Sequence, residues 1–372
     1  MSPARKYGVR STRISCMYDL ESLGWNSDFE AEFQAHAKDG YSVARVALEH
    51  RGSYRVYTAS GELPAVLTGR LRFIASSQAE LPAVGDWVVI SQPHGESRTQ
   101  IHAVLPRRSK FSRKAAGSET QEQVVAANID TVFLVQGLDG DFNTRRLERY
   151  LVAAYESNAT PVVILNKADL CDDVEQKLRE VEATAFGIAA YAISSIDGRG
   201  VDRLDKYIGR GLTVAFLGSS GVGKSTLINR LIGENVQKTA EVREHDSRGR
   251  HTTTHRELIV LKSGGVLIDT PGMRELQLWD AGDSLGETFG DIESIAAACH
   301  FSDCSHKSEP GCAVREAIEQ GSLERDRFDN YLKMEKELEY LDSKMDAKLH
   351  LRRKSREKKI HRAFRSIKPK RS

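Results

Sequence analysis

Residues 212–233 read LTVAFLGSSGVGKSTLINRLIG: an apolar run that stops at Gly218 and a helix-patterned run that begins after Ser225. Between them, Gly218-Ser219-Ser220-Gly221-Val222-Gly223-Lys224-Ser225 fits G-x-x-x-x-G-K-[ST]. A strand, a glycine-rich turn and a helix start aim successive backbone N–H groups and the positive helix end at one point, which suits a phosphate. There Lys224 neutralises β- and γ-oxygens, Ser225 reaches Mg²⁺, and Thr226 joins the nucleotide set in the same helical turn. The alternative, a glycine-rich turn without a ligand, is disfavoured by the strand before it and the helix after it.

Downstream, Asp269-Thr270-Pro271-Gly272 follows the apolar run GGVLI. An aspartate at the carboxyl end of a parallel strand stands where such sheets bind ligands, so Asp269 can hold Mg²⁺, through water, and the Gly272 N–H can bond the γ-phosphate. Alone, this tetrapeptide is more often an ordinary turn. Upstream, Asn166-Lys167-Ala168-Asp169 closes the run PVVIL. An aspartate carboxylate accepts from both N1–H and N2–H₂ of guanine, and adenine offers no matching pair of donors, so Asp169 selects GTP. Asn166 braces the loop, the Lys167 stem covers one face of the base, and Ser194-Ser195, after AAYAI, lie beside the guanine O6. Taken singly, the 166–169 stretch reads equally well as a helix-capping turn.

Around these motifs, IDTVFLVQ, PVVILNK, AAYAIS, LTVAFLG, RELIVLK and GVLIDT alternate with helical segments near 144–157, 173–186 and 201–208. Apolar strands with helical crossovers predict a parallel sheet covered on both faces, an α/β nucleotide-binding domain. Ahead of it, YSVARVALEH, YRVYTAS, LPAVLTGRLRF, GDWVVIS and QIHAVL are short β-rich runs at regular spacing, which predicts a small barrel or sandwich.

Base motif, serine loop, phosphate loop, Thr-rich segment and DxPG are all GTPase motifs, but here the first two precede the phosphate loop. In that order, with a β-barrel before and a Cys/His cluster behind, the chain resembles the circularly permuted GTPases of the ribosome small subunit-dependent GTPase A family over about residues 40–320. The resemblance implies an oligonucleotide-binding (OB) barrel, a permuted P-loop GTPase domain and a zinc-binding helical module. It also implies a GTP hydrolase stimulated by the small ribosomal subunit and its rRNA, acting in late maturation of that subunit and released on hydrolysis. The expected divisions are an N-terminal extension (1–37), the OB barrel (38–106), a basic linker (107–127), the GTPase domain (128–280), the zinc module with a long helix (281–347) and a basic tail (348–372). Permutation leads the switch elements straight into the C-terminal module, so a change at the γ-phosphate is expected to move that module relative to the barrel.

Met273 stands where Ras-like enzymes carry a water-orienting glutamine after DxxG, and a thioether cannot orient water. Unaided hydrolysis is therefore expected to be slow. In Gly249-Arg250-His251-Thr252-Thr253-Thr254, Thr252 or Thr253 is expected to meet Mg²⁺ and the γ-phosphate, and His251 is the candidate for positioning water, a role the resemblance also implies. The alternative makes His251 a polar switch residue and no more; Arg248 and Arg250 are lesser candidates for steadying developing charge.

Cys299-x4-Cys304-x-His306-x5-Cys312 supplies three thiolates and an imidazole, a closed tetrahedral set for one structural Zn²⁺, with three buried free cysteines as the alternative. His300 breaks the pattern, and Cys16 and Cys171 read as ordinary thiols. Leu323, Phe328, Leu332, Leu338, Leu341 and Met345 form the apolar stripe of a long charged helix behind the cluster.

The chain has 372 residues and a formal charge of +2, a total that hides an asymmetry. Residues 348–372 carry twelve Lys or Arg and one Glu, net +11, which leaves −9 for the remainder. A cationic end on an acidic body suits RNA phosphates, although a charge run is also what a solvated face looks like. Tyr54, Tyr57, Phe73 and Trp87 are aromatic groups able to stack on bases, or else core. No run approaches the ~18 apolar residues of a membrane-spanning helix. Five cysteines are too few for a disulfide framework, so a reducing cytoplasm is expected; with nothing to suggest an obligate dimer, a monomer without a membrane partner is expected.

Overall fold

The computed structural model describes residues 17–38, 40–50, 52–92, 98–114, 121–233, 256–269, 282–341 and 343–344. His251, Thr252, Thr253, Arg248, Arg250, Gly272, Met273, Cys16, Met345 and the basic tail 348–372 lie outside the described residues.

The β-rich runs form α1 (Ser27–Gln34), β1 (Tyr41–His50), β2 (Ser53–Thr58), β3 (Gly61–Leu67), α2 (Gly69–Ile74), β4 (Trp87–Ser91) and β5 (Thr99–Val104). The strands pair in the order β1-β2-β3-β5-β4, and β4 closes on β1. Only β3 and β5 run parallel. A closed five-stranded barrel with a helix between its third and fourth strands is the expected OB arrangement. Its third strand ends earlier than the apolar run LPAVLTGRLRF predicts. The Thr68 hydroxyl accepts from Leu71 N–H at 3.2 Å and caps α2, a local bond that β-propensity does not anticipate.

Barrel closure also sorts the aromatic side chains. Trp87, Tyr54 and Tyr57 are buried, so these three are core and not stacking groups; Phe73 is 89% exposed on α2. The extension supplies Leu23, Trp25 and Phe29 as a lid on Trp87, with the Trp25 and Trp87 rings 4.7 Å apart, edge to face. Beneath that lid Arg45 is fully enclosed. Its guanidinium donates to Gly85 O at 3.1 Å, to Asn128 O at 2.9 Å and to Leu23 O, so one side chain satisfies carbonyls from the barrel, the start of the next domain and the extension. Burial lowers its pKa to about 10, opposed by the nearby Asp130 and Asp86 carboxylates, which leaves it charged at neutral pH.

The segment read as a linker contains an antiparallel hairpin, β6 (Lys110–Lys114) with β7 (Glu122–Ala127). Phe111, Val125 and Ala126 are buried, and this apolar face is what the basic cluster concealed in sequence.

The α/β domain follows: β8 (Thr131–Gly137), α3 (Thr144–Glu156), β9 (Thr160–Asn166), α4 (Val174–Thr184), β10 (Ala190–Ala192), β11 (Thr213–Gly218), α5 (Lys224–Ile232), β12 (Glu257–Val260) and β13 (Val266–Asp269). The strand order is β10-β9-β8-β11-β13-β12. The first five are parallel, and β12 joins β13 antiparallel at the edge. Through that edge the sheet meets the barrel: Leu48 of β1 pairs with Glu257, Arg55 bridges to Glu257 at 2.8 Å, and Tyr57 donates to Leu258 O at 3.2 Å.

At the C-terminal side lie α6 (Gly282–Ala296), kinked at Phe289, α7 (Ala313–Glu319) and α8 (325–341). Leu323, Phe328 and Leu341 are buried and Leu332 and Leu338 half-buried, as the stripe predicts, and Met334 joins them. The module sits on α3 through the fully buried Glu148. That carboxylate accepts from Arg327 at 2.7 Å, from Asn330 at 2.6 Å and from Arg145, while Arg149 forks onto Glu337 at 2.8 and 2.6 Å. Burial raises the Glu148 pKa, and the Asn330 bond and the two arginines oppose the rise.

Candidate active site and metal centre

The carboxyl ends of β8, β9, β11 and β13 and the turn after β10 lie side by side, which gathers motifs that are far apart in sequence. Residues 218–223 curl from β11 into α5, and Lys224 folds back over them, its Nζ donating to Gly218 O at 2.6 Å and to Ser219 O at 2.5 Å. Ser225 and Thr226 follow in the first turn of α5, both half-buried. Asp269 ends β13, next to β11.

Asn166 is the central brace. Its side chain is buried, its Nδ2 donates to Val222 O at 2.8 Å, and its Oδ1 accepts from Ser195 N–H at 3.0 Å and Ser195 Oγ at 2.8 Å. One amide thus joins the phosphate loop, the base strand and the serine turn. Gly223 has φ of +89°, and a Cβ there would run into the Asn166 amide nitrogen, so only glycine lets the two loops close together. Lys167, at φ of +63°, turns out of β9 and pairs through Nζ with Asp139. The Ala168 N–H donates to Ile193 O at 3.0 Å, and Asp169 stands exposed beyond it, free to face a ligand. Ser194 is fully buried and receives Asp197 N–H at 3.3 Å; Arg199 holds the Asp197 carboxyl down at about 2 through a 2.7 Å ion pair.

Asp139 and Arg230 carry parts of this site that motif reading missed. Asp139 follows β8 at the ligand-binding edge of the sheet, a position that gave a signal; Arg230 gave none.

A family model for the RsgA GTPase matches residues 104–279. The small ribosomal subunit biogenesis GTPase RsgA of Opitutus terrae is 46% identical over 93% of this chain and 97% of its own length. The chain belongs to the RsgA GTPase family. RsgA 1 of Oceanobacillus iheyensis is 47% identical over 86% of this chain and 91% of its own. Among solved structures, YjeQ from Thermotoga maritima matches with a TM-score of 0.58 at 28% identity, covering 80% of this chain and 98% of that one. YloQ, described as a circularly permuted GTPase, matches with a TM-score of 0.56 at 26% identity, covering 80% and 95%. The protein is accordingly a GTP hydrolase with an OB barrel and a permuted GTPase domain, and membership implies Mg²⁺ with the nucleotide.

In this chain the cluster Cys299, Cys304, His306 and Cys312 brings its ligand atoms within 4.8 Å of one another. Cys299 Sγ lies 3.9 Å from Cys312 Sγ and 3.6 Å from His306 Nδ1, and Cys312 Sγ lies 3.5 Å from the same nitrogen. Bonds of ~2.3 Å to sulfur and ~2.0 Å to nitrogen in a tetrahedron require ligand separations of about 3.5–3.8 Å, so the set is compatible with one zinc ion. Burial pushes the Cys299 thiol up, but the Val314 and Ala313 N–H groups at the start of α7 outweigh it and hold the pKa below its ordinary value. Among the described residues this is the one cluster of three or more His, Cys, Asp or Glu side chains able to hold a metal ion, and His300 stands outside it. Cys171 is a free, half-buried thiol against the core, as expected. No helix among the described residues is long and apolar enough to cross a membrane.

Proposed function

We propose that this RsgA-family GTPase binds the small ribosomal subunit in late maturation, hydrolyses GTP there and leaves as the GDP form. The observation that carries the reading is Asn166, whose single amide ties the guanine loop to the phosphate loop in a chain aligned nearly end to end with RsgA relatives. Gly218, Ser219, Ser220, Gly221, Val222, Gly223, Lys224, Ser225 and Thr226 hold the phosphates; Asn166, Lys167, Ala168, Asp169, Ser194 and Ser195 hold the guanine. Ser225, Asp269 and Thr253 would hold Mg²⁺, which supplies charge neutralisation between the β- and γ-phosphates. Lys224 and the Gly272 N–H draw charge off the γ-phosphate. His251 orients a water for in-line attack at phosphorus, with Thr252 beside it, and the bond to the β-phosphate oxygen breaks to release GDP and phosphate. Cys299, Cys304, His306 and Cys312 bind one structural zinc.

The RNA-facing surfaces are the 348–372 tail and the exposed Phe73 with Arg70 and Arg72, where an aromatic face and two cations suit an unpaired base and its phosphates. The protein works as a monomer in the cytoplasm. GTP turnover measured alone and with small subunits, large subunits or free RNA tests the whole reading: stimulation by small subunits only is expected. No stimulation by any of them would overturn it in favour of a GTP-gated RNA-binding scaffold, a reading that the thioether of Met273 leaves open.

A further inference from the structure

Arg230 lies in the last turn of α5, six residues past Lys224, outside every nucleotide-binding motif. Its Nε donates to Ser195 O at 2.8 Å and its Nη2 to Ile196 O. The two carbonyls belong to the turn that follows β10. Gly198, in the same turn, has φ of +92°, and a Cβ there would lie 2.6 Å from Arg230 Nη1. The turn is therefore shaped around the guanidinium: glycine where the fork lies flat, and two carbonyls at its tips. A Lys offers its donors from a single rotatable nitrogen and lacks the fixed planar fork that holds two carbonyls at set positions.

We infer that Arg230 is a positioning residue that sets the guanine O6 recognition turn from the phosphate-binding helix. The inference rests on the proposal that Ser194 and Ser195 face O6 and Asp169 faces N1–H and N2–H₂. α5 begins at the phosphates with Lys224 and ends at the base turn with Arg230, so one rigid rod fixes both subsites. Asn166 holds Ser195 from inside the fold, and Arg230 holds the same residue from outside. With the outer clamp gone the turn keeps its inner bond but loses the fixed direction of its O6-facing amides, so ordering that part of the site must then be met from the binding energy of O6 itself.

The test is direct binding of three diphosphates to the full-length Arg230→Ala protein. GDP has O6, N1–H and the N2 amine; inosine diphosphate lacks only the amine; 2-aminopurine riboside diphosphate lacks O6 and N1–H. Arg230→Ala is expected to weaken GDP and inosine diphosphate by the same factor, about tenfold, and to leave 2-aminopurine riboside diphosphate within twofold of wild type. Gly198→Ala should give the same pattern, and the double variant should be no worse than either single one. Arg230→Lys should recover part of the loss. Equal weakening of all three ligands would mean general damage to the phosphate site and would overturn the inference, as would unchanged GDP affinity. If wild type itself fails to prefer GDP over inosine diphosphate, the reading of Asp169 fails instead, and the two failures are separable.

Discussion

The roles proposed for Asp169 and His251 are of different kinds, and single substitutions separate them. The Asp169 carboxylate stands exposed at the end of a braced loop, so Asp169→Asn is expected to fold normally. It would put an amide NH₂ where guanine presents its own donors, and a site that loses a matched pair of buried hydrogen bonds discriminates about 10²- to 10⁴-fold less well. Competition binding should show GTP weakened by that order and xanthosine triphosphate, which has an acceptor at the 2-position, improved. His251→Ala should leave GTP affinity within about twofold but remove about 10²-fold or more of subunit-stimulated turnover, the usual size of a positioned proton-handling or water-orienting group. Full stimulated turnover in that variant would make His251 an ordinary switch residue. Motif spacing singles out both residues as candidates. Arg230 and Asp139 escaped it because their partners are backbone carbonyls and a lysine brought near only when strands align.

At the scale of elements, the cysteine spacing announced the 299–312 segment as one closed ligand set, and the folded distances agree with it. The turn hangs on its ligands: His306 adopts φ of +59°, and the segment between α6 and α7 has little apolar area of its own. Chelation of zinc, or Cys304→Ser, is expected to abolish hydrogen-exchange protection over 299–319 while leaving the barrel strands protected, since a metal that closes a small module supplies most of its folding energy. The tail is a separate element with a separate readout. Neutralising phosphates releases counterions, so deleting 348–372 should weaken subunit binding and lower the slope of log affinity against log salt. An unchanged slope would mean the tail is only a solvated end. Two stretches differ from the sequence expectation for local reasons: a threonine cap ends β3 early, and in 107–127 a run of four buried residues, Val124 to Ala127, follows a segment rich in lysine and arginine.

For the whole molecule, the decisive contacts are buried charges between units. Arg45 joins extension, barrel and GTPase domain, and Glu148 joins the GTPase domain to the zinc module. Breaking a buried ionic network from one side costs about 3–5 kcal/mol where the remaining charges are left without a partner; without Glu148, Arg327 keeps Asp291 and Arg145 keeps Glu324, so the cost falls at the lower end of that range. Glu148→Ala is therefore expected to lose about that much stability, read as a lower urea midpoint at unchanged slope. The same argument bears on motion. A swing of the zinc module against α3 would have to part Glu148 from Arg327 and Asn330, so the distance between probes on α4 and α7 should be equal with GDP and with a non-hydrolysable GTP analogue. A nucleotide-dependent change would show that the γ-phosphate does move the module.

Sequence alone determined the candidates for the chemistry: the loop assigned to phosphate, the aspartate assigned to guanine, the four side chains that can take zinc, and the permuted order of the motifs. Those properties depend on residue types at short fixed spacings, which folding preserves. Tertiary structure alone decided how the units are joined, that three of four candidate stacking aromatics are core, and that Arg230 holds the base turn. Each of these depends on partners distant in the chain, and a buried arginine or glutamate has the same local sequence signature as one in solvent.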